Sequence, residues 1–172
     1  ILRSVLSVEN SIYSGCYMDF GYWEYDKNKV LTYISLSREL GVPLLEDEQF
    51  WNIIAYENWV LFQSLNRIYF YNIVEKSVHF IESKNTIHKI FDVQGELYYQ
   101  VLGEGLFAIK DGEGVLKSGA SIFRDDVITS LYEKDNVMYS VMREGGIFRL
   151  RNNIPLLLDI EANKVLREVS VY

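Results

Sequence analysis

The sequence is poor in the residues that carry most catalytic and metal chemistry. Its 172 residues include one cysteine, Cys16, and two histidines, His79 and His88. A single thiol excludes an internal disulfide and the usual zinc patterns. The histidines fall on different predicted strands at a spacing that matches no ligand pair, so they read as strand residues and no metal is expected. Proline occurs only twice. The longest apolar runs, such as Val42–Leu45 and Ile154–Leu158, fall far short of the ~20 residues that span a bilayer, so no membrane insertion is expected. Nothing at the start resembles a signal peptide, and the chain as given reads as soluble. Basic residues number 17 against 24 acidic ones, a formal net charge of −7, with no extended Lys/Arg cluster. That argues against direct nucleic-acid binding by this segment, which requires a basic face. No G-x-S-x-G, P-loop or G-x-G-x-x-G motif occurs, and neither a catalytic residue nor a cofactor is expected.

What the sequence does have is aromatic residues, with 13 Tyr, 9 Phe and 3 Trp, together with much Val and Ile. That bias favours strands. Short apolar segments separated by polar turns recur from end to end, and helical periodicity is nearly absent. One helical turn is expected around Ser37–Leu40, and everything else reads as strand and turn. Four segments resemble one another: Tyr22–Tyr25, Ile68–Tyr71, Leu106–Ile109 and Ile147–Leu150. They recur about every 40 residues, the interval of a repeat architecture. Ahead of each lies a second apolar strand, Ile12–Gly15, Val60–Gln63, Leu97–Gln100 and Val137–Ser140. Ahead of that comes a third: Val5–Val8, Trp51–Ile54, Ile87–Phe91 and Val127–Leu131. The turns joining third to second are Glu9-Asn10, Glu57-Asn58, Gln94-Gly95 and Asp135-Asn136, residue types that tolerate the positive φ of hairpin turns. A weaker fourth strand follows, as in Leu31–Ile34 and Val78–Ile81, after turns such as Asp26–Lys29 and Asp111–Gly114.

Strands a, b, c and d in this order make the unit of a propeller blade. The expected fold is therefore all-β: a β-propeller segment of about four four-stranded antiparallel blades plus an extra strand. The blades are expected over 4–37, 50–82, 86–119 and 126–160, with 165–172 as the first strand of a further blade. A single β-sandwich or meander is the alternative, since short strands at regular spacing also point there. The start at Ile1 without methionine and the apolar end suggest a fragment of a larger protein, a cut that would remove any targeting signal or membrane helix beyond it.

In a propeller with strand a innermost, the b–c loops and the d–a connections emerge on one face. That face would carry Tyr17, Asp19, Asn66, Arg67, Glu104, Arg143 and Glu144, the candidate ligand-binding residues. Aromatic rings stack on sugars and planar ligands, and carboxylates and Arg hold hydroxyls or acids, so a small polar ligand or oligosaccharide suits it. Solvated loop tips are an equally good reading of the same residues. The pairs Asp47/Glu48 and Asp125/Asp126 invite comparison with glycoside hydrolysis, which needs two carboxyls about 5 to 10 Å apart. They sit in d–a connections, where solvated charge is ordinary. Gly103-Glu104-Gly105 and Asp111–Gly114 fall at turns with no helix following, so turn chemistry explains them better than phosphate binding.

The stretch Ser14–Trp23, followed by Leu31–Leu36, Phe50–Ile53 and Val60–Ser64, resembles the N-terminal sensor propeller of Bacteroidetes transcriptional regulators. These include hybrid two-component sensors and regulators with a LuxR-type helix-turn-helix. Gly105-Leu106-Phe107 and Gly146-Ile147-Phe148 look like the Gly-Leu-aromatic step of the regulator-propeller repeat. The chain departs from that pattern in strand b, where Tyr or Phe replaces the usual Trp. The resemblance implies a non-enzymatic sensory domain, commonly periplasmic as part of a membrane-anchored sensor and tied to polysaccharide or nutrient use. It implies signalling through downstream domains of the same parent chain. A cytoplasmic location is the alternative. The rival functions are a carbohydrate-active lyase or hydrolase and a structural module that self-associates into a homo-oligomer through apolar blade faces.

Overall fold

The computed structural model describes residues 1–166 and 168. The chain divides into two compact units, Ile1–Glu82 and Ser83–Tyr172. In the first unit, β1 (Leu2–Val8), β2 (Ser11–Cys16), β3 (Phe20–Tyr25) and β4 (Leu31–Ser35) form one sheet in chain order. A one-turn helix α1 (Leu36–Glu39) follows, then a second sheet of β5 (Asn52–Tyr56), β6 (Trp59–Gln63), β7 (Arg67–Asn72) and β8 (Ser77–Glu82). The second unit repeats the plan with β9 (Ile87–Val93), β10 (Glu96–Val101), β11 (Gly105–Lys110) and β12 (Glu113–Ser118). After α2 (Ser121–Asp125) come β13 (Ile128–Lys134), β14 (Val137–Met142), β15 (Gly146–Arg151) and β16 (Ile154–Leu157), and then α3 (Glu161–Leu166). All pairings are antiparallel between sequence neighbours. These are blades of a β-propeller segment.

Local chemistry sets the hairpins. In the a–b turns, Gln94 and Gly95 have φ of 52° and 80°, and Asp135 and Asn136 have 52° and 59°. Two successive positive values define the type I′ geometry that matches strand twist. The Asp111-Gly112 turn is of the same kind, with φ of 51° and 78°. It is tighter than the four-residue turn expected there, because Glu113 already pairs with Lys110. Strand c begins with glycine in β11 and β15 and carries Gly21 as the second residue of β3; at Gly105 and Gly21 the reason is close approach by strand d. A Cβ on Gly105, at φ +131°, would lie 2.2 Å from the Ser118 carbonyl oxygen, and one on Gly21 would lie 2.0 Å from that of Ile34.

Each unit has one core, formed where two sheets meet face to face. In the first, Tyr13 and Phe20 of one sheet meet Ile53, Phe62, Tyr69 and Tyr71 of the other. The Phe20 ring lies 4.6 Å from Phe62 and 5.3 Å from Tyr69 between centroids. In the second, Phe91, Tyr98, Leu106 and Ala108 meet Ile128, Leu131, Met142 and Leu150, with Phe123 of α2 closing the layer. The strands expected to be buried on both faces are so in β7, buried throughout, and in β10 beyond Glu96. The outer faces of the first and last sheets differ. Val5, Ile12, Trp23 and Tyr25 are exposed on one, and Tyr132, Ile154 and Leu156 on the other.

The helical turn expected at Ser37–Leu40 is α1, capped by the Ser35 hydroxyl, which accepts from the Arg38 N–H. Strand and turn do not account for everything else. The helices α2 and α3 occupy connections whose five or six residues are too few for a periodic signal. The strand expected over 165–172 falls mostly outside the described residues. Its described start, Val165 and Leu166, ends α3.

Three substitutions test this packing. Phe62→Ala empties a fully buried site at the sheet–sheet contact and is expected to cost about 3–5 kcal/mol in urea unfolding. Gly105→Ala, which forces both a positive φ and a carbonyl clash, is expected to destabilise as clearly. Gly95→Ala, at an open turn, is expected to show only the milder cost of its φ.

Candidate functional site

In each unit the b–c loop lies against the d–a connection, as a blade requires. In the first unit the Met18 N–H donates to the Glu48 carbonyl at 2.8 Å, and the Tyr17 hydroxyl donates to the Asp47 carboxylate. That bond pushes the Tyr17 phenol up in pKa, although the ring is open to solvent. Asp47 itself stands at φ +58°, a left-handed conformation that brings its side chain back over the loop.

Beside this contact the loops enclose a cavity of about 170 Å³, lined by Leu45, Glu46, Asp47, Glu48, Gln49, Trp51, Ser64, Leu65 and Asn66. Its floor is a buried carboxylate. Glu48, 5% exposed, accepts from the Ser64 hydroxyl at 2.6 Å, the Tyr69 hydroxyl at 2.8 Å and the Leu45 N–H at 2.9 Å. Burial, with the Glu48 bond, pushes the Tyr69 phenol well above its ordinary range. The rim is different in kind. Glu46 and Asp47 are exposed, Trp51 is 45% exposed with the Arg3 guanidinium 4.6 Å from its ring centre, and the Gln49 amide oxygen is screened from solvent without a donor. An indole face beside carboxylates and amides is the equipment for a small ligand rich in hydroxyls.

The residues named from sequence divide into those the structure turns outward and those it uses internally. Tyr17, through Asp47, and Asn66 come together at this cavity. Asp19 is turned away, accepting from the Ser35 and Ser37 hydroxyls at 2.7 and 2.6 Å, with Arg38 3.9 Å from its other oxygen. Arg67 is 9% exposed and points inward. It donates to Glu82 at 2.7 Å, to the Pro43 carbonyl at 2.7 Å and to the Tyr69 hydroxyl at 3.1 Å, with its guanidinium 4.4 Å from the Phe80 ring centre. A long cationic side chain on a strand start reads from sequence as a loop group, and only the fold reveals carbonyl and carboxylate partners waiting for it. Trp51 and Gln49 were not singled out as ligand groups, because a residue just ahead of a strand carries no signal of facing a cavity.

In the second unit Glu104 accepts from the Asn85 amide at 2.8 Å. Gly103 donates to the Arg124 carbonyl of α2, and the Gln100 amide bridges the Phe123 and Asp126 carbonyls and the Ile128 N–H. Glu144 remains exposed, but its N–H and that of Gly145 donate to one Asp126 oxygen at 3.1 and 2.8 Å. Asp126 thus ties the β14–β15 loop down. The Arg143 Nε is screened from solvent and has no acceptor, an arrangement that costs about 1–3 kcal/mol or more for a charged donor. Among the described residues no group of three His, Cys, Asp or Glu is placed to hold a metal, and no helix is long and apolar enough to cross a membrane.

No family model matches the sequence, and no curated protein matches it. The fold, however, is similar to several solved propellers. BamB from Moraxella catarrhalis superposes with a TM-score of 0.64 at 8% identity, over 90% of this chain and 49% of that one. Citrobacter koseri AztD gives 0.63 at 12%, over 94% and 48%. The extracellular domain of a one-component system from B. thetaiotaomicron gives 0.61 at 13%, over 94% and 22%. The chain thus spans about half the length of BamB and AztD and less of the third. At these identities the likeness establishes the fold, a β-propeller segment.

Stability measurements separate the two groups of side chains. Arg67→Ala and Glu48→Gln are expected to cost about 1–3 kcal/mol each, since each leaves buried partners unsatisfied. Asp47→Asn, at an exposed position whose left-handed φ asparagine also tolerates, is expected to stay within about 0.5 kcal/mol of the parent. Urea midpoints at constant m-value check both.

Proposed function

We propose that this chain is a non-enzymatic binding module, part of a ligand-sensing propeller in a transcriptional regulator or two-component sensor that responds to carbohydrate. The observation that carries the reading is the cavity of the first unit, where Trp51, Asp47, Gln49 and Asn66 converge over a satisfied polar floor. A neutral sugar supplies an apolar ring face for the indole and hydroxyls for the carboxylates and amides. The likeness of fold to the extracellular domain of a one-component system supports a sensory role and a periplasmic setting. The Gly105-Leu106-Phe107 and Gly146-Ile147-Phe148 steps, which look like those of Bacteroidetes regulator propellers, are consistent with the same assignment. Signal would pass to further domains of the parent chain because the ligand binds one arrangement of them better than another.

The carboxylates that an enzyme reading would recruit support the non-catalytic one. Asp19 is held by two serine hydroxyls, Glu48 by three donors, and Asp126 by three backbone N–H groups. Oxygens spent on these internal donors hold the fold together and are not presented to a substrate.

A second reading rests on the exposed outer sheet faces, where Val5, Ile12 and Trp23, and separately Tyr132 and Leu156, lie open. Such faces favour association with further propeller blades or with a second copy.

A panel of neutral oligosaccharides tested by thermal shift and tryptophan fluorescence decides. A cognate sugar at one hundred times its Kd is expected to stabilise the protein by about 2.7 kcal/mol, with the response lost in Trp51→Ala. Release of reducing ends from a polysaccharide would instead establish an enzyme. A panel without any response, alongside a dimer in light scattering, would favour the association reading.

A further inference from the structure

We propose that this chain associates head to tail with a second copy of itself, the outer face of its last sheet docking on the outer face of its first. This association rests on the second reading of the outer sheet faces given above, and adds to it a partner and a register.

Strand pairing fixes which side chains share a face. In the first sheet Leu6, Tyr13, Tyr22 and Ile34 are directly paired across the four strands. This is the face that packs, and Leu6, Tyr13 and Tyr22 join the core shared with the second sheet. The opposite face carries Ile12, Trp23 and Tyr33 in register, with Val5, Tyr25 and Leu31 beside them. Val5, Ile12, Trp23, Tyr25 and Leu31 are all exposed.

Counting from the a–b turns matches positions between sheets. Ile12 and Trp23 stand where Val60 and Tyr71 stand in the second sheet, and the two pairs oppose each other in the same way. Val60 and Tyr71 are buried in the core with the first sheet, the Tyr71 ring centre 6.4 Å from that of Tyr13. The second unit makes the same contact. Tyr98, at the position of Tyr13, shares a core with Met138 and Leu150, at the positions of Ile12 and Trp23. In both units the Tyr13-type face of the earlier sheet covers the Trp23-type face of the later one.

One face of each type is left open. On the last sheet Tyr132, Tyr139, Arg149 and Leu156 are directly paired at the positions of Leu6, Tyr13, Tyr22 and Ile34. Tyr132, Arg149 and Leu156 are exposed, and the Tyr132 and Tyr139 rings stack at 5.3 Å. The chain therefore carries both halves of a contact that it already makes twice. Because the halves differ, a second copy binds head to tail.

Charge favours a second copy as the occupant. The Tyr139 face also bears Lys134 and Arg151, exposed at the positions of Val8 and Glu24, the end of the sheet next to the a–b turn. The same end of the Trp23 face opens into a hollow lined by Ser7, Glu9, Ile12, Glu24 and Tyr25. Cations on one face thus arrive where carboxylates border the other. A large ring fully open exposes about 150–250 Å², so the five exposed side chains of the Trp23 face leave on the order of 500 Å² uncovered. One contact then buries on the order of 1,000 Å² in total, the threshold of a specific interface. Two copies of a chain that spans about half the length of BamB and AztD also match one such propeller in length.

The test is sedimentation equilibrium of the full chain from about 1 to 200 µM, around an expected Kd on the order of 10 µM. Val5→Lys places a cation on the Trp23 face, and Tyr132→Lys places one on the Tyr139 face. Both positions are exposed, so urea midpoints near the parent's are expected. Ile12→Lys or Leu156→Lys replaces either variant that fails to fold. Each variant alone is expected to associate at least about tenfold more weakly than the parent. An equimolar mixture of the two is expected to recover a heterodimer, since Val5→Lys keeps an intact Tyr139 face and Tyr132→Lys an intact Trp23 face. A parent that stays monomeric at about 200 µM overturns the proposal and the self-association reading with it, leaving further sheets as the occupant. A parent that associates while the mixture stays monomeric, or while either variant associates undiminished, overturns the head-to-tail contact and leaves self-association standing. The outcome of the sugar panel bears on neither.

Discussion

A sheet of four short strands has two faces and no interior, and everything else in this chain follows from the need to cover at least one of them. In each unit two sheets meet face to face. Large aromatic side chains fill the gap in the first unit, with Phe20 in ring contact with both Phe62 and Tyr69, and Tyr13 beside Tyr22 and Tyr71. Rings of this size cover much apolar area per residue, which suits strands only five or six residues long. The packing in turn dictates the connections. A chain leaving strand d at one edge must return to the start of the next strand a, and its path crosses the b–c loop it has already made. The cavity of the first unit and the Asp126 clasp of the second are consequences of that crossing.

The strand order, the blade interval and the a–b turns were legible in the sequence because they depend on local alternation and on residues suited to positive φ. Gln94-Gly95 and Asp135-Asn136 announce their geometry, and the structure forms those turns where the pattern put them. The short helices were not legible. Ser121–Asp125 forms α2 because Phe123 buries its ring against the neighbouring sheets, a tertiary cause without a sequence period. The candidate site was legible only in part, for a related reason. A loop position can be read from the sequence, but the direction of its side chain cannot. Asp19 and Arg67 occupy the expected loop ends and still turn inward, since Ser35, Ser37, Pro43 and Glu82, distant in sequence, offer them partners.

Function is to be sought where buried polar groups go unpaired, since a fold under no other demand satisfies its buried groups. Most of the polar interior here closes well. Glu48 has three donors, Gln100 has partners for both ends of its amide, and the Asn163 side chain bonds the Ile147 backbone at both N–H and carbonyl. Among the described residues, the buried side-chain atoms without a partner are the Tyr33 hydroxyl, the Gln49 amide oxygen, the Ser140 hydroxyl and the Arg143 Nε.

These four do not carry equal weight. Ser140 and Tyr33 sit within strands, where a hydroxyl can rotate toward a water or a backbone carbonyl at little cost. Gln49 and Arg143 sit at loop ends. Each has a planar group whose orientation is set by packing, so neither relieves its unpaired atom by rotating a single bond. Gln49 borders a cavity of acids and an indole, and Arg143 lies in a loop tied by its backbone N–H to the Val127 carbonyl. A hydroxyl-rich ligand suits the first. The two blade pairs share a plan, and their loop ends differ in charge, which lets one repeated architecture present two different chemistries.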